Sequence, residues 1–427
     1  MSENATHRAI EAVWRIESAK IVAVLTRMLR DVGLAEELAQ DALVAALEHW
    51  AASGVPDNPG AWLTATAKRR ALDLLRRDRL LERKHAELLH ELELDQELAD
   101  RQAEAARDDE IGDDLLRLVF VACHPVLSPE ARIALTLRLL GGLATDEIAR
   151  AFLVPEATVA QRIVRAKRTL SEAHVPFEVP SAAELAPRLS SVLEVIYLIF
   201  NEGYAATAGE HWMRPQLCEE ALRLGRILAE LTPRESEVHG LVALMEIQAS
   251  RMHARTGPGG EPVLLLDQDR ARWDRLLIGR GLAALERAEK LGGTLGPYAI
   301  QAAIAACHAR ARVAGETDWS RIAALYDALA QIAPSPVVEL NRAVAVAMAF
   351  GPAAGLEIAD ALRDEPSLLC YHLLQSVRGD LLAKLGCRDE ARIAFERAAA
   401  LTRNARERDL LLARAARCVV KAPPAER

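Results

Sequence analysis

The amino-acid sequence predicts an all-α fold, because its composition favours helices along the whole chain. Hydrophobic residues make up 51% of the 427 residues, whereas aromatic residues contribute only 4%. Ala, Leu, Arg and Glu dominate, and these side chains lose little conformational entropy in a helix. β-Branched and aromatic residues are sparse, which excludes an immunoglobulin-type sandwich or a β-barrel.

Length, cysteine content and hydropathy limit the kind of protein further. At about 150 residues per domain, the chain has room for roughly three domains. The 6 cysteines show no paired spacing, which excludes a disulfide framework. The N-terminal segment lacks the apolar run of a signal peptide, and the apolar run 192–200 is too short to cross a bilayer. We therefore expect a cytoplasmic protein without membrane contact.

The first predicted domain covers residues 8–80. Apolar residues at helical spacing predict three helices, over residues 8–30, 35–50 and 61–79. Gly33 is expected to adopt the left-handed conformation after the first helix. The Gly- and Pro-rich segment 52–60 predicts a loop before the third helix.

Residues 81–114 differ in character from the domain before them. They carry 13 acidic and 4 basic side chains and few β-branched or aromatic residues. This composition predicts a solvated helix or flexible linker that contributes nothing to a core.

The second predicted domain covers residues 115–173. Its pattern predicts four helices, over residues 115–123, 129–140, 145–152 and 155–173. Ser128 and Thr145 are the expected N-caps. The last two helices and their tight turn predict a helix-turn-helix, with Ala149 at the helix crossing and Ile148 in the buried face.

Residues 181–420 predict a third domain made of helical pairs. Small residues recur at a period of about 36 residues, which is typical of a tetratricopeptide-like repeat. The recurring positions are Ala343, Gly355, Ala359 and Leu362, followed by Gly379, Ala391, Phe395 and Ala398.

Two helices concentrate positive charge, although the chain has a net charge of −8. The third helix of the first domain carries Trp62, Lys68, Arg69, Arg70, Arg76 and Arg77. The last helix of the second domain carries Thr158, Gln161, Arg162, Arg165, Lys167 and Arg168. Cationic stripes match the spacing of phosphates, and a polar, cationic helix fits the major groove. A solvated helix face and a generic helical hairpin are the respective alternatives.

The stretches 35–50, 59–77 and 145–170 resemble the signature segments of extracytoplasmic-function (ECF) RNA polymerase sigma factors, of the sigma-70 family. The C-terminal extension is similar to that of a subgroup with a fused tetratricopeptide-like domain. The resemblance implies two small helical sigma domains, region 2 at 8–80 and region 4 at 115–173, joined by the acidic linker. It also implies that the protein directs core RNA polymerase to promoter DNA.

The same resemblance implies a role for each residue set. The helix that docks on the polymerase would use Glu36, Glu37, Leu38, Gln40, Asp41 and Leu43. The Trp62 helix would bind and melt the −10 element, and the Thr158 helix would read the −35 element. The sequence departs from the family pattern at Ala160, where Lys or Arg is usual, and at Arg69, where Asn is usual.

The remaining clusters of polar residues are expected to have structural roles. Cys123-His124 and Cys307-His308 are adjacent pairs, whereas zinc ligands come as spaced pairs, so no metal site is expected. The charged segment 268–275 is expected to form a surface ion-pair network. The sequence contains no motif for covalent catalysis or cofactor binding, and we expect neither an enzyme nor a cofactor.

Two alternative functions remain open at the level of the sequence. One is a helix-turn-helix transcriptional regulator with a ligand- or partner-sensing repeat domain. The other is an interaction scaffold without DNA affinity. In the sigma-factor interpretation, the C-terminal domain would be regulatory and would bind a protein or a ligand.

Overall fold

The computed structural model describes residues 3–83, 107–152, 154–292 and 294–419. These residues form eighteen α-helices and two strands of two residues each, which confirms the predicted all-α fold. The chain divides into two compact units, Met1–Leu198 and Ile199–Arg427. Within the described residues, no helix is both long and apolar enough to cross a membrane.

The first unit contains seven helices and the larger part of an eighth. They are α1 (Glu3–Leu29), α2 (Val32–Ser53), α3 (Pro59–Arg83), α4 (Arg107–Ala122), α5 (Pro129–Leu139), α6 (Thr145–Phe152), α7 (Glu156–Glu172) and α8 (Ala182–Tyr204). Helices α1–α3 pack together, and α5–α7 form a second cluster. Helix α8 is bound to the residue that follows α4 by Ser191, whose hydroxyl donates to the carbonyl oxygen of Cys123 at 2.7 Å.

The junction between α1 and α2 corrects one prediction. Arg30, at φ 56°, is the left-handed residue after α1, and Gly33 lies inside α2. The side chain of Asp31 accepts a hydrogen bond from the amide of Leu34 and caps α2. Because this cap starts the next helix at once, no room is left for the longer turn that Gly33 suggested.

Helices occupy both ends of the predicted acidic linker. Residues 81–83 belong to α3, and α4 begins at Arg107, whereas residues 84–106 lie outside the described residues. Asp114 is buried, with a carboxylate 3.2 Å from Arg27 Nε and 2.7 Å from Arg117 Nη1. The expectation that 81–114 contributes nothing to a core is therefore wrong at Asp114, because two arginines compensate its charge.

The helix-turn-helix is formed by α6 and α7. Ser128 caps α5 as predicted, with its hydroxyl oxygen accepting from the amide of Ala131. Helix α6 begins at Thr145 itself, and Glu147 accepts from the amide of Ala144 at 2.8 Å. Ile148 is buried, as predicted, and so are the other small or apolar crossing residues Ala149, Val159 and Ile163.

The second unit is an array of helices that pack against their neighbours in sequence. They are α9 (Pro215–Leu231), α10 (Ser236–Ala249), α11 (Arg275–Lys290), α12 (Pro297–Arg310), α13 (Trp319–Ile332), α14 (Pro336–Phe350), α15 (Pro352–Ala361), α16 (His372–Lys384), α17 (Arg388–Leu401) and α18 (Ala405–Val419). Small residues lie at the crossings: a Cβ on Gly355 would be 2.4 Å from Cβ of Ala347.

Two short strands join the beginning and the end of this array. The strands β1 (Ala208–Gly209) and β2 (Arg403–Asn404) pair in parallel. Asn404 is fully buried, and its amide nitrogen donates to the carbonyl oxygens of Ala206 (3.0 Å) and His211 (2.9 Å). The last helices are thereby tied to the first loop of the same unit.

The segment 268–275 differs from its prediction as a surface ion-pair network. Arg270 and Trp273 are buried, while Asp269 and Asp274 accept hydrogen bonds from backbone amides at the starts of helical turns. The carboxylates are thus used as caps, so they do not neutralise the arginine beside them. The two Cys-His pairs contribute buried thiols at Cys123 and Cys307.

His308 should make the second unit sensitive to acid. Burial, together with the charges of Arg251 and Arg270, lowers the pKa of His308 from 6.5 to about 3. Between these values the unfolded chain binds a proton that the folded chain does not. Lowering the pH from 7 to 5 should therefore cost about 2 kcal/mol of unfolding free energy through this group.

Urea unfolding of wild type and His308→Gln at both pH values measures this contribution. The exposed His211, changed to Gln, is the matched control. An equal pH dependence of wild type and His308→Gln would contradict a neutral, buried His308.

Candidate nucleic-acid interface

Helix α3 presents a cationic face to solvent. Arg69, Arg76 and Arg77 are exposed and lie on the side of α3 that also carries Trp62. The opposite face is buried in the first unit, through Leu63, Ala67 and Ala71. The sequence folds this way because apolar and cationic residues alternate at the period of a helix.

Two of the predicted cations of α3 are placed differently. Arg70 turns toward α2, where its Nη1 lies 3.4 Å from a carboxylate oxygen of Asp41. Lys68 is half-buried and lies on the far flank of α3 from Trp62. The cationic face therefore contains three of the five predicted basic residues.

Trp62 packs against other rings. Its ring meets Trp50 edge-on at a centroid distance of 5.4 Å and His49 at 6.1 Å. The loop before α3 is also shorter than the predicted 52–60, because α2 continues to Ser53 and α3 starts at Pro59. This packing fixes the start of the cationic helix against α2.

Helix α7 presents the second polar face. Thr158, Gln161, Arg162, Arg165 and Arg168 follow one another at helical spacing on its accessible side. Arg168 Nε is engaged by the carboxylate of Glu172 at 2.6 Å. The buried side consists of Val159, Ile163, Ala166 and Leu170.

Lys167 does not belong to this face. It lies about half a turn around α7 from Thr158, and its ammonium group binds Glu36 of α2. The sequence placed it with the DNA-facing residues because it falls in a basic run. Glu36 lies 131 positions away along the chain, so no local sequence pattern could indicate this ion pair.

Glu36 is likewise not on the accessible face of α2. It is 6% exposed and binds both Lys167 and Arg138, whose Nε lies 2.7 Å from its Oε1. Burial raises the pKa of Glu36, but the charges of Lys167 and Arg138 outweigh this effect and hold the pKa below 4.5. Leu38 is also buried, so two of the six predicted polymerase-docking residues face inward.

The accessible face of α2 is an acidic stripe with an apolar centre. Glu37 and Asp41 are exposed on it, together with Val44 and Glu48, which the sequence interpretation missed. Their spacing of four, three and four residues is the signal that could have identified them. Gln40 and Leu43 are half-buried at its edge.

Further ion pairs connect α1 with α4 and α6. Arg15 Nη2 lies 3.0 Å from a carboxylate oxygen of Glu147, and Arg27 binds the buried Asp114. A Cβ on Gly142 would be 2.7 Å from the hydroxyl of Ser18, so α1 also packs closely against the turn after α5. The two predicted sigma-like domains are thus in contact within the first unit.

Comparisons with known proteins match three segments of the chain. Residues 15–80 match the family "Sigma-70 region 2", and residues 117–170 match "Sigma-70, region 4". Residues 188–289 match a family of unknown function, DUF6596. Sigma-70 factors are non-enzymatic initiation factors, in agreement with the prediction that the chain is not an enzyme.

Relatives cover the chain to different extents. "Uncharacterized protein R00370" of Rhizobium meliloti (strain 1021) is 46% identical over 388 residues, which span 90% of each chain. "Probable ECF RNA polymerase sigma factor SigI" of Mycobacterium tuberculosis is 26% identical over 178 residues, which cover 41% of this chain and 59% of that protein. The chain therefore belongs to the family of R00370, and its first unit contains a sigma-70 region 2 domain and a sigma-70 region 4 domain.

Proposed function

We propose that the protein is an ECF-type sigma factor that recruits core RNA polymerase to promoters and assists opening of the −10 region. The observation that carries this proposal is the pair of exposed cationic faces on α3 and α7, each within a matching sigma-70 domain. Segregated positive charge on a chain of net charge −8 is what a DNA contact surface requires. The work of such a protein is binding energy directed to strand separation.

The three accessible faces receive separate roles in this proposal. The acidic stripe of α2, with Val44 at its centre, would dock on a basic surface of the polymerase. Arg69, Arg76 and Arg77 would hold the phosphates of the −10 strand. Thr158, Gln161, Arg162 and Arg165 would read base edges of the −35 element in the major groove.

The contact between the two domains has a consequence for this function. Lys167 and Glu36 bind each other, and each also belongs to the residue sets that the family resemblance assigns to DNA and polymerase. We infer that these side chains exchange partners when the two domains engage separate promoter elements. The free chain would then be a closed form that opens on assembly.

Run-off transcription with purified core polymerase tests the proposed function directly. We expect a promoter-specific product when the full chain is added to core polymerase without another sigma factor. A helix-turn-helix regulator would give no product under these conditions but would shift promoter DNA alone. Absence of both product and shift would favour a scaffold role and contradict the proposal.

For the second unit we propose a regulatory role as a tetratricopeptide-like interaction domain. A truncated chain should end after Leu198, the last residue of the first unit, because Ser191 of α8 is buried and bonds Cys123 of that unit. If the second unit only regulates, this shorter chain should still support run-off transcription. Loss of product with a folded, polymerase-binding fragment would show that the second unit takes part in initiation itself.

Arg76 and Arg77 should control the salt dependence of promoter binding. Each phosphate contact that is lost should lower the slope of log affinity against log salt concentration by about 0.7–0.9. The double variant Arg76→Ala/Arg77→Ala should therefore bind more weakly on every promoter sequence, with a shallower slope. Fluorescence anisotropy of the holoenzyme on promoter DNA at several salt concentrations measures both effects, and an unchanged slope would contradict the assignment.

A further inference from the structure

Three buried arginines in the second unit have no acidic partner among the residues that the structure describes. Arg251 and Arg255 follow the end of α10, and Arg270 begins the short helical turn Arg270–Arg272. Their exposed fractions are 8%, 6% and 5%, respectively. Buried charges are normally paired, because an uncompensated ion in the protein interior is costly.

The three guanidinium groups are interleaved with aromatic rings. Arg255 lies 3.4 Å from the ring centroid of Tyr204 and 5.5 Å from that of Trp212. Arg251 lies 5.8 Å from Tyr204 and 5.7 Å from Trp273, and Arg270 lies 5.0 Å from Trp273. We call this alternating set the arginine ladder: Trp212, Arg255, Tyr204, Arg251, Trp273 and Arg270.

The ladder leaves its positive charge uncompensated among the described residues. In the described part of the chain, Arg270 donates to neutral acceptors alone, the carbonyl oxygens of His308 (2.7 Å) and Ala311 (2.8 Å) and the hydroxyl of Thr317 (2.9 Å). Glu316 acts on Arg270 at longer range and forms no ion pair with it in the described part of the chain. The side chains of Arg251 and Arg255 donate no hydrogen bond to the described residues.

Several buried donors of the ladder also have no acceptor. Nε of Arg251, Nη1 of Arg255 and Nε of Arg270 are inaccessible and without a hydrogen-bond partner in the described residues. Cation–π contacts attract a guanidinium group to a ring, but they neither neutralise its charge nor accept its N–H groups in the plane of the fork. His308, with a lowered pKa, supplies no negative charge.

We propose that the arginine ladder is a binding site for a small phosphate-bearing anion. A phosphate group supplies both missing components, negative charge and several acceptor oxygens. The planar guanidinium fork matches it in a bidentate geometry, which distinguishes arginine from lysine. All six ladder residues lie within 188–289, the segment of unknown function, so this site is independent of the proposed promoter contacts.

Thermal unfolding of the full chain with inorganic phosphate tests this proposal, with potassium chloride of equal ionic strength as the reference. We expect a rise in Tm that saturates with phosphate concentration, because a ligand that binds the folded state stabilises it. Tryptophan emission should change over the same concentrations, since Trp212 and Trp273 flank the site.

Variants separate the ladder from the exposed cationic faces of the first unit. Arg251→Met and Arg255→Met should each weaken phosphate binding about tenfold or more. Arg251→Lys and Arg255→Lys keep the positive charge and serve in case the methionine variants do not fold. They lack the planar guanidinium group, so they should also bind phosphate more weakly than wild type. Arg272→Met is the matched control, because Arg272 is exposed in the same turn as Arg270.

Phenyl phosphate distinguishes an organic phosphate from the free ion, and citrate tests whether another anion binds. Tighter binding of phenyl phosphate than of inorganic phosphate would indicate an organic phosphate monoester, whereas equal or weaker binding would indicate the free ion. Citrate serves as a carboxylate anion. A response to citrate alone, a response to no anion, or an equal loss in Arg272→Met would overturn the proposal.

Discussion

Replacing Arg162 and Arg165 together by alanine is expected to abolish most sequence-specific promoter binding. Both side chains lie on the accessible face of α7, opposite its buried residues. A base contact of this kind contributes about 1–3 kcal/mol, so the double variant, which loses two of them, should lose about 2–6 kcal/mol, or roughly thirtyfold to ten-thousandfold in affinity for the −35 element. The loss should be larger for the specific promoter than for unrelated DNA.

Binding of the holoenzyme to a promoter and to a −35-substituted promoter measures this effect. Lys290→Ala is a suitable control, because Lys290 is an exposed cation of the second unit that pairs with Glu286. The assignment of α7 as the −35-reading helix would be withdrawn if the double variant discriminated between the two promoters as well as wild type does.

Replacing Glu36 by glutamine is expected to have the second large effect, on the contact between the two sigma domains. The change keeps the shape of the side chain but leaves Arg138 and Lys167 without their negative partner. Removing one partner of a buried ion pair costs about 3–5 kcal/mol. We expect the lower end of this range, because the side chains of Arg138 and Lys167 remain 19% and 21% exposed.

The accessibility of Lys167 to acetylation measures whether its ion pair with Glu36 is intact. Acetylation of Lys167, followed by mass spectrometry, should be faster in Glu36→Gln than in wild type or in Glu37→Gln, whose side chain is exposed. Because the folded-state pKa of Glu36 is lowered, the pairing stabilises the closed form above pH 4.5 and is lost as the pH falls through that lowered pKa. Equal acetylation rates at neutral pH would contradict the closed arrangement.

Local patterns carry enough information for much of the fold. Ser128 before Pro129 predicts the start of α5, and the apolar spacing around Ile148 predicts the helix-turn-helix. The cationic faces of α3 and α7 follow from the same reasoning, because helical period alone decides which residues share a face. These parts of the candidate site are therefore readable without any tertiary information.

Contacts between residues far apart in the sequence cannot be predicted from local patterns. Glu36 and Lys167 look like surface residues of two separate helices until the domains are brought together. Asp114 looks like part of a solvated linker, although Arg27 of α1 compensates its charge. Arg270 has acidic neighbours in the sequence, yet those carboxylates cap backbone amides. Its guanidinium group instead contacts the ring of Trp273 and neutral oxygen acceptors.

The pairing of β1 with β2 bears on how the second unit unfolds. In an open repeat array each element touches only its neighbours, so the ends can melt while the middle persists. Here the buried Asn404 holds the loop at Ala206 and His211, and fraying of either terminus removes a contact from the other. The array should consequently unfold in one cooperative step. A conformational change in its last helices should also alter the loop that follows α8.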